Sequence, residues 1–182
     1  FLCCYFRELI MSTLKVNILE DVSGSRLTFI KQVIQVTKTD TASVTGATFA
    51  DVGLSATIQP SSTSSKVLIL VQANISSSDG YSAKARLMKG NGEIYVGDAA
   101  GNRPRATAEA TGTYSTTVAA NASQVNMIFL DSPGTNQTLQ YKIQYAAYGT
   151  QVAYINRSGN DSNNSGYDAR TASSITLIEV AA

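Results

Sequence analysis

The chain has 182 residues, enough for one domain with a sizeable hydrophobic core that does not depend on disulfides. Hydrophobic residues make up 43% of the sequence and charged residues only 15%, so we expect a nearly neutral surface rich in hydroxyl and amide groups. The formal net charge is +1, and the lysines and arginines are scattered. Because such a chain has no basic surface that could neutralise many phosphates, we expect no nucleic acid partner.

The first ten residues, FLCCYFRELI, contain both cysteines of the chain, Cys3 and Cys4. They are adjacent, and the chain has no further cysteine with which either could pair. The apolar stretch around them is too short to cross a bilayer and lacks the features of a signal peptide, so no membrane insertion is expected. The segment from Met11 to Thr13 is typical of a natural start, and we expect residues 1–10 to be an extension outside the fold.

The next segment, residues 11–26, combines a short apolar patch with the linker-like sequence from Asp21 to Ser25. We expect it to be an N-terminal attachment arm that binds other proteins of the same assembly. From residue 28 onward, short β-branched or aromatic runs alternate with clusters of Gly, Asn, Asp, Ser and Pro, a rhythm typical of sandwiches and barrels. Residues 27–182 are therefore predicted to form a single all-β domain, an antiparallel sandwich whose strand order the pattern leaves open.

Ten strands are predicted. They lie at Leu27–Thr37, Thr48–Ile58, Lys66–Ile75, Tyr81–Lys89, Glu93–Val96, Ala106–Val118, Val125–Leu130, Leu139–Tyr148, Gln151–Asn156 and Ser173–Val180. The spacing of apolar residues in the first of them also partly suits a helix, but its β-branched residues favour a strand. The third is a nearly continuous apolar run, which predicts a central strand buried on both faces.

The strand Leu139–Tyr148 alternates between apolar residues and polar ones, so one of its faces should be exposed to solvent. Tyr141 and Tyr145 lie on its apolar face together with Leu139 and Ile143. This position predicts that the two tyrosines pack either in the core or in a contact between subunits. We name Tyr141 and Tyr145 as candidate subunit contacts.

The chain contains no histidine, which excludes Ser-His-Asp and Cys-His nucleophiles and every histidine-ligated metal site. A pair of carboxylates such as Asp131 and Glu93 could still serve a carbohydrate-active domain, and this remains an alternative function. The glycine-rich run Gly97–Asn102 lacks the lysine and the helix of a phosphate-binding loop. We predict no enzyme activity, no catalytic residues, no cofactor and no metal.

The long polar segment Arg157–Arg170 is the best candidate for a recognition surface, because β-scaffolds present such chemistry on loops. A merely structural loop is the alternative. A second alternative is weak calcium binding by Asp161, Ser162, Asn163 and Asp168, although a plain turn rich in Asn and Asp fits the same pattern. The candidate contact residues for a receptor are Asn160, Asp161, Asn163, Asn164 and Tyr167.

Several segments resemble marine bacteriophage tail-fibre or virion structural proteins, especially those of cyanophages, and the resemblance covers residues 11–182. The segments that carry it are Met11–Asn17 followed by Asp21–Gly24, then Phe49–Pro60, Ser64–Val71, Gly97–Gly101, Phe129–Pro133, Tyr154–Ser158 and Ser174–Val180. The resemblance brings no set of catalytic residues with it.

This resemblance implies a virion structural protein with a small β-sandwich or jelly-roll head, commonly a homotrimer, exposed on the phage particle. A symmetric trimer would also cover the open edge strands of a sandwich. The first functional hypothesis is therefore a non-enzymatic tail-fibre or fibre-head domain. It would attach through residues 11–26 and present its loops to a host surface glycan as a receptor-binding surface. A capsid decoration protein without a receptor role is the alternative within the same class.

Overall fold

The computed structural model describes residues 29–78, 81–110, 122–163, 165–166 and 168–181. The predicted extension (1–10) and attachment arm (11–26) lie outside these residues. The described part of the chain consists of β-strands and connections without an α-helix, and so contains no helix that could span a membrane. The prediction of an all-β fold is confirmed.

Eleven strands are formed within the described residues. They are β1 (Ile30–Lys38), β2 (Ala42–Thr45), β3 (Ala50–Ile58), β4 (Lys66–Ser77), β5 (Ala83–Lys89), β6 (Gly92–Ile94), β7 (Ala108–Ala110), β8 (Ser123–Asp131), β9 (Leu139–Ala146), β10 (Val152–Ile155) and β11 (Ser173–Val180). The last agrees with its predicted bounds, and most others differ from theirs by one to three residues. The sequence did not predict β2, and of the predicted strand Ala106–Val118 only β7 lies among the described residues.

The strands form two antiparallel sheets that pack face to face. The six-stranded sheet has the order β1-β11-β4-β10-β2, with β8 on β4, and the five-stranded sheet has the order β3-β9-β5-β6, with β7 on β5. In the first sheet β8 lies along one side of β4, while β11 and then β10 lie along the other, because their registers on β4 follow one another. When β2, β7 and β10 are left out and the other eight strands are renumbered 1 to 8 in chain order, the two sheets have the jelly-roll orders 1-8-3-6 and 2-7-4-5.

The core lies between the two sheets and is built from every second residue of each strand. In β4 the buried apolar residues are Val67, Ile69, Val71, Ala73 and Ile75. They face the residues of β9 that the alternation predicted to be apolar. The alternate residues of β9 (Gln140, Lys142 and Gln144) point away from the core, so the predicted solvent-exposed face of this strand is confirmed.

The prediction that the apolar run Lys66–Ile75 is buried on both faces is wrong. The run does form the central strand β4, but Leu68 and Leu70 are only partly buried, since no second layer covers the outer face of the six-stranded sheet within the described residues. Periodicity distinguishes the two faces of a strand and cannot tell whether something covers the second face.

Candidate functional site

The candidate contact loop, residues 157–170, connects β10 to β11 at one end of the six-stranded sheet. Of the predicted contact residues, Asn160, Asp161 and Asn163 are described, whereas Asn164 and Tyr167 lie outside the described residues. Asn160 and Asn163 are exposed and Asp161 is partly buried.

The residue before the loop, Asn156, is its anchor. Its side chain is fully buried, and its φ of 63° lies in the left-handed region that asparagine tolerates better than most residues. Its amide nitrogen donates hydrogen bonds to the carbonyls of Lys38 (2.8 Å) and Asp40 (3.0 Å), and its Oδ1 accepts one from Ser173 Oγ (2.6 Å). The backbone N–H of Thr171 also donates to its carbonyl oxygen, so both ends of the loop are held at this residue.

Arg157 fixes the first turn of the loop against the sheet. Its guanidinium lies over the ring of Tyr154, with Cζ 4.1 Å from the ring centroid, in a cation–π geometry. Ser76 Oγ of β4 donates a hydrogen bond to the Arg157 carbonyl oxygen (2.6 Å). The base of the loop therefore contacts the end of β4 at Ser76.

Two carboxylates organise the interior of the loop. Asp161, whose φ is 50°, pairs with Arg157 (3.1 Å) and with Arg170 (2.8 Å). Asp168 accepts hydrogen bonds from the hydroxyls of Ser158 and Ser162 and from the backbone N–H of Ser162 (2.9 Å). The hydrogen bonds from Ser158 and Ser162 hold the pKa of Asp168 below its usual value.

These contacts leave a polar basin of about 290 Å³ on the loop surface. It is lined by Asp161, Ser162, Asn163, Ser165, Asp168, Ala169 and Arg170. The side chain of Arg170 is 59% exposed, so its guanidinium presents hydrogen-bond donors to a ligand beside the acceptors of the loop. The lining therefore offers both hydrogen-bond donors and acceptors, the chemistry that suits a polar, hydroxyl-bearing molecule.

The arrangement does not favour calcium at this place. A calcium site needs six or more oxygen ligands, with several carboxylates directed at one point. Here the carboxylate of Asp161 is already paired with two guanidinium groups. The described residues contain no group of three or more His, Cys, Asp or Glu side chains that could hold a metal ion.

Tyr141 and Tyr145 lie in the core of the domain, with 0% of each residue exposed. The interpretation of their alternating pattern as core packing is confirmed, and the prediction that they form a subunit contact is wrong, since neither side chain reaches the surface. Tyr141 donates a hydrogen bond to Asp131 (2.6 Å), which also pairs with Lys89 (2.9 Å). The core residues of one sheet are thus linked to the end of β8 in the other.

Sequence reasoning missed Arg157, Ser158 and Arg170 as the residues that shape the loop. A signal was present, because arginines at both ends of a segment that contains two aspartates indicate ion pairs across it. It also missed Asn156, which it had placed at the end of a strand.

Comparisons with known proteins add no assignment. No protein-family model matches the chain, and no curated protein matches it significantly.

Proposed function

We propose that the protein is a non-enzymatic structural protein of a bacteriophage particle, a fibre-head domain whose loop 157–170 contacts a glycan on the host surface. The observation that carries the proposal is the way this loop is built. A polar basin with an exposed guanidinium is held on a jelly-roll scaffold by the buried side chain of Asn156. Preorganised loops on rigid β-scaffolds serve recognition, because little ordering entropy is lost on binding.

The chemistry of the basin suits a sugar better than a charged or apolar ligand. Its two carboxylates are offset in charge by the guanidinium groups of Arg170 and of Arg157, which pairs with Asp161, while its serine and asparagine side chains can donate and accept hydrogen bonds. A polyhydroxylated ligand can satisfy both kinds of group without bringing a charge of its own. Single sites of this open, polar kind bind weakly, and several copies on one particle would raise the avidity.

The states of the carboxylates support binding and not turnover. Glycoside hydrolysis requires one carboxylic acid whose raised pKa keeps it protonated. Both carboxylates of the candidate catalytic pair already form ion pairs, since Asp131 pairs with Lys89 and Glu93 pairs with Arg86 and Arg105. The described carboxylates whose pKa departs from its usual value all have it lowered.

The test is binding of the purified full-length protein to a panel of cyanobacterial cells and to a glycan array. We expect wild-type protein to bind at least one strain, and Arg170→Ala to bind at least about tenfold more weakly, because the exposed donor of the basin is lost. Arg103→Ala is the matched control, since Arg103 is an exposed arginine in a different loop and its loss should leave binding unchanged.

Two results would contradict the proposed host contact. Wild-type protein that binds no cells and no glycan would instead favour a capsid decoration protein. Binding that survives in Arg170→Ala but is lost in Arg103→Ala would place the contact elsewhere. Reproducible turnover of a bound glycan by the purified protein would show that the domain is an enzyme.

A further inference from the structure

The two outer faces of the sandwich are chemically opposite. The outer face of the five-stranded sheet carries ion pairs between Asp51 and Lys142 (2.9 Å), Arg86 and Glu93 (2.8 Å), and Lys84 and Glu109 (3.5 Å). Such a face is typical of a surface in contact with water.

The outer face of the six-stranded sheet carries a patch of apolar side chains instead. The registers align Val33, Ile178, Leu68 and Leu130 in one row across four strands, and Leu70 and Ile128 are neighbours in the next row. We call these six residues the apolar patch. Ile128 is 66% exposed, Val33 58% and Leu130 48%.

Charge is nearly absent around the apolar patch. The remaining outward positions of β4, β8 and β11 hold glutamine, asparagine, serine, threonine and valine, with Lys66 at the end of β4 as their single charged residue and no carboxylate. Strand β1 adds one exposed charge beside the patch, Lys31. Solvent-exposed sheet faces ordinarily carry charged residues that keep other chains away. Strand β8 is also an edge strand within the described part of the chain, with β4 as its strand partner.

We propose that the apolar patch is buried against another copy of this chain. A contiguous exposed apolar surface bordered by polar groups marks an interaction site. A charged partner surface would lose its hydration against this face without gaining an opposite charge, so the partner must itself be apolar and uncharged. Another copy of the chain provides such a surface.

The size of the face fits this occupant. Four strands about 4.8 Å apart, each contributing about eight residues at about 3.3 Å, give a flat area of roughly 500 Å². Because side chains corrugate the face, its accessible area is larger than this flat value and is of the same order as the value of about 800 Å² per partner that stable interfaces bury. A shallow groove of about 330 Å³, lined partly by Leu70 and Ile128, gives the surface relief for interlocking side chains. This inference goes beyond the proposed host contact and does not depend on it.

The test measures the mass of the full-length protein in solution by light scattering and sedimentation at micromolar concentration. We expect a small integer multiple of the chain mass of 19.3 kDa. Ile128→Glu and, independently, Val33→Glu should give the monomer mass, because each variant places a carboxylate in the interface. Both residues are exposed in the single chain, so the substitutions should leave its fold intact, which circular dichroism checks.

Thr57→Glu is the matched control, since Thr57 is an exposed strand residue on the outer face of the five-stranded sheet and its variant should remain oligomeric. High salt should leave the wild-type oligomer intact, because apolar contacts are not screened. A monomeric wild-type protein would overturn the inference, and would point to residues 1–28 or to a different protein as the cover of the patch. An oligomer that persists in both Ile128→Glu and Val33→Glu would also overturn it.

Discussion

At the level of single residues, Tyr141 and Tyr145 share a strand face and complete burial, but they differ in what their hydroxyls bind. The hydroxyl of Tyr141 donates to Asp131, whereas that of Tyr145 has no hydrogen-bond partner within the described residues. Burial raises the pKa of both hydroxyls, and the neighbouring Asp131 carboxylate raises that of Tyr141 further. Both tyrosines therefore stay protonated at any ordinary pH.

This difference predicts opposite effects for the same substitution. Tyr141→Phe should lower the free energy of unfolding by about 1–3 kcal/mol, because a buried carboxylate loses a hydrogen bond. Tyr145→Phe should be neutral or stabilising by up to about 1 kcal/mol, because it removes a buried hydroxyl that has no partner. Urea unfolding of the two variants measures both values. A loss of equal size in the two variants would contradict the assignment of their partners.

At the level of elements, the anchoring of loop 157–170 gives the next prediction. Asn156→Ala should lower the free energy of unfolding by about 3 kcal/mol, because two carbonyls and the Ser173 hydroxyl lose their partner while the positive φ remains. Asn156→Gly should cost about 1 kcal/mol less, because glycine adopts this φ without strain.

Hydrogen exchange provides the second measurement for this prediction. The N–H of Ser162, which donates to Asp168 within the loop, should exchange faster in both variants than in the wild type. Amides in the middle of β9 serve as the internal reference and should change only with global stability. If Ser162 exchanged no faster relative to these amides, Asn156 would not be the anchor of the loop.

The strands show which elements the sequence could predict. Ser173–Val180 was predicted with its observed bounds, because this run is rich in β-branched residues and follows directly on the polar loop. Strand β2 was missed because four residues, ASVT, are too short for a period to be recognised. It exists through its pairing with β10, from Val152 with Thr45 to Ile155 with Ala42, and such long-range pairing leaves no local pattern.

The candidate site was predictable in position but not in structure. Composition located the loop, since a segment of fourteen residues rich in Asn, Ser, Asp and Gly and without a period is typical of a connection that carries function. The sequence could not show that Asp161 bridges two arginines, because this depends on the positive φ of Asp161 and on the stacking of Arg157 on Tyr154. The subunit contact was misplaced for a related reason, since alternation shows that Tyr145 faces an apolar environment and not which one.

At the level of the whole molecule, the two proposed surfaces are separated along β4. Leu68 belongs to the apolar patch and Ser76 contacts the base of the loop, and eight residues of strand span about 26 Å. Association through the apolar patch would therefore leave the loop of each copy exposed. Displaying several weak sites together in this way would increase the avidity for a surface.

Acid stability is also a property of the whole molecule, and among the described carboxylates Glu179 has the pKa that is lowered most. This buried carboxylate at the end of β11 accepts hydrogen bonds from Gln32 of β1 (2.6 Å) and from the backbone and hydroxyl of Ser61 (2.7 and 2.6 Å). Burial alone would raise its pKa, but the hydrogen bonds from Ser61, Gln32 and Ser65 outweigh burial and lower the pKa from 4.5 to about 2.

Because the folded state holds this carboxylate ionised, the unfolded chain takes up the proton first as the pH falls. The contribution of Glu179 to stability is thus fully present above pH 4.5 and is lost between there and about pH 2, to an extent of up to about 3 kcal/mol. Glu179→Gln should be less stable than the wild type at neutral pH, and the gap should close in acid. Urea unfolding at a series of pH values tests this prediction. It would be contradicted if the free energies of unfolding of the wild type and of Glu179→Gln, plotted against pH, stayed parallel down to pH 2.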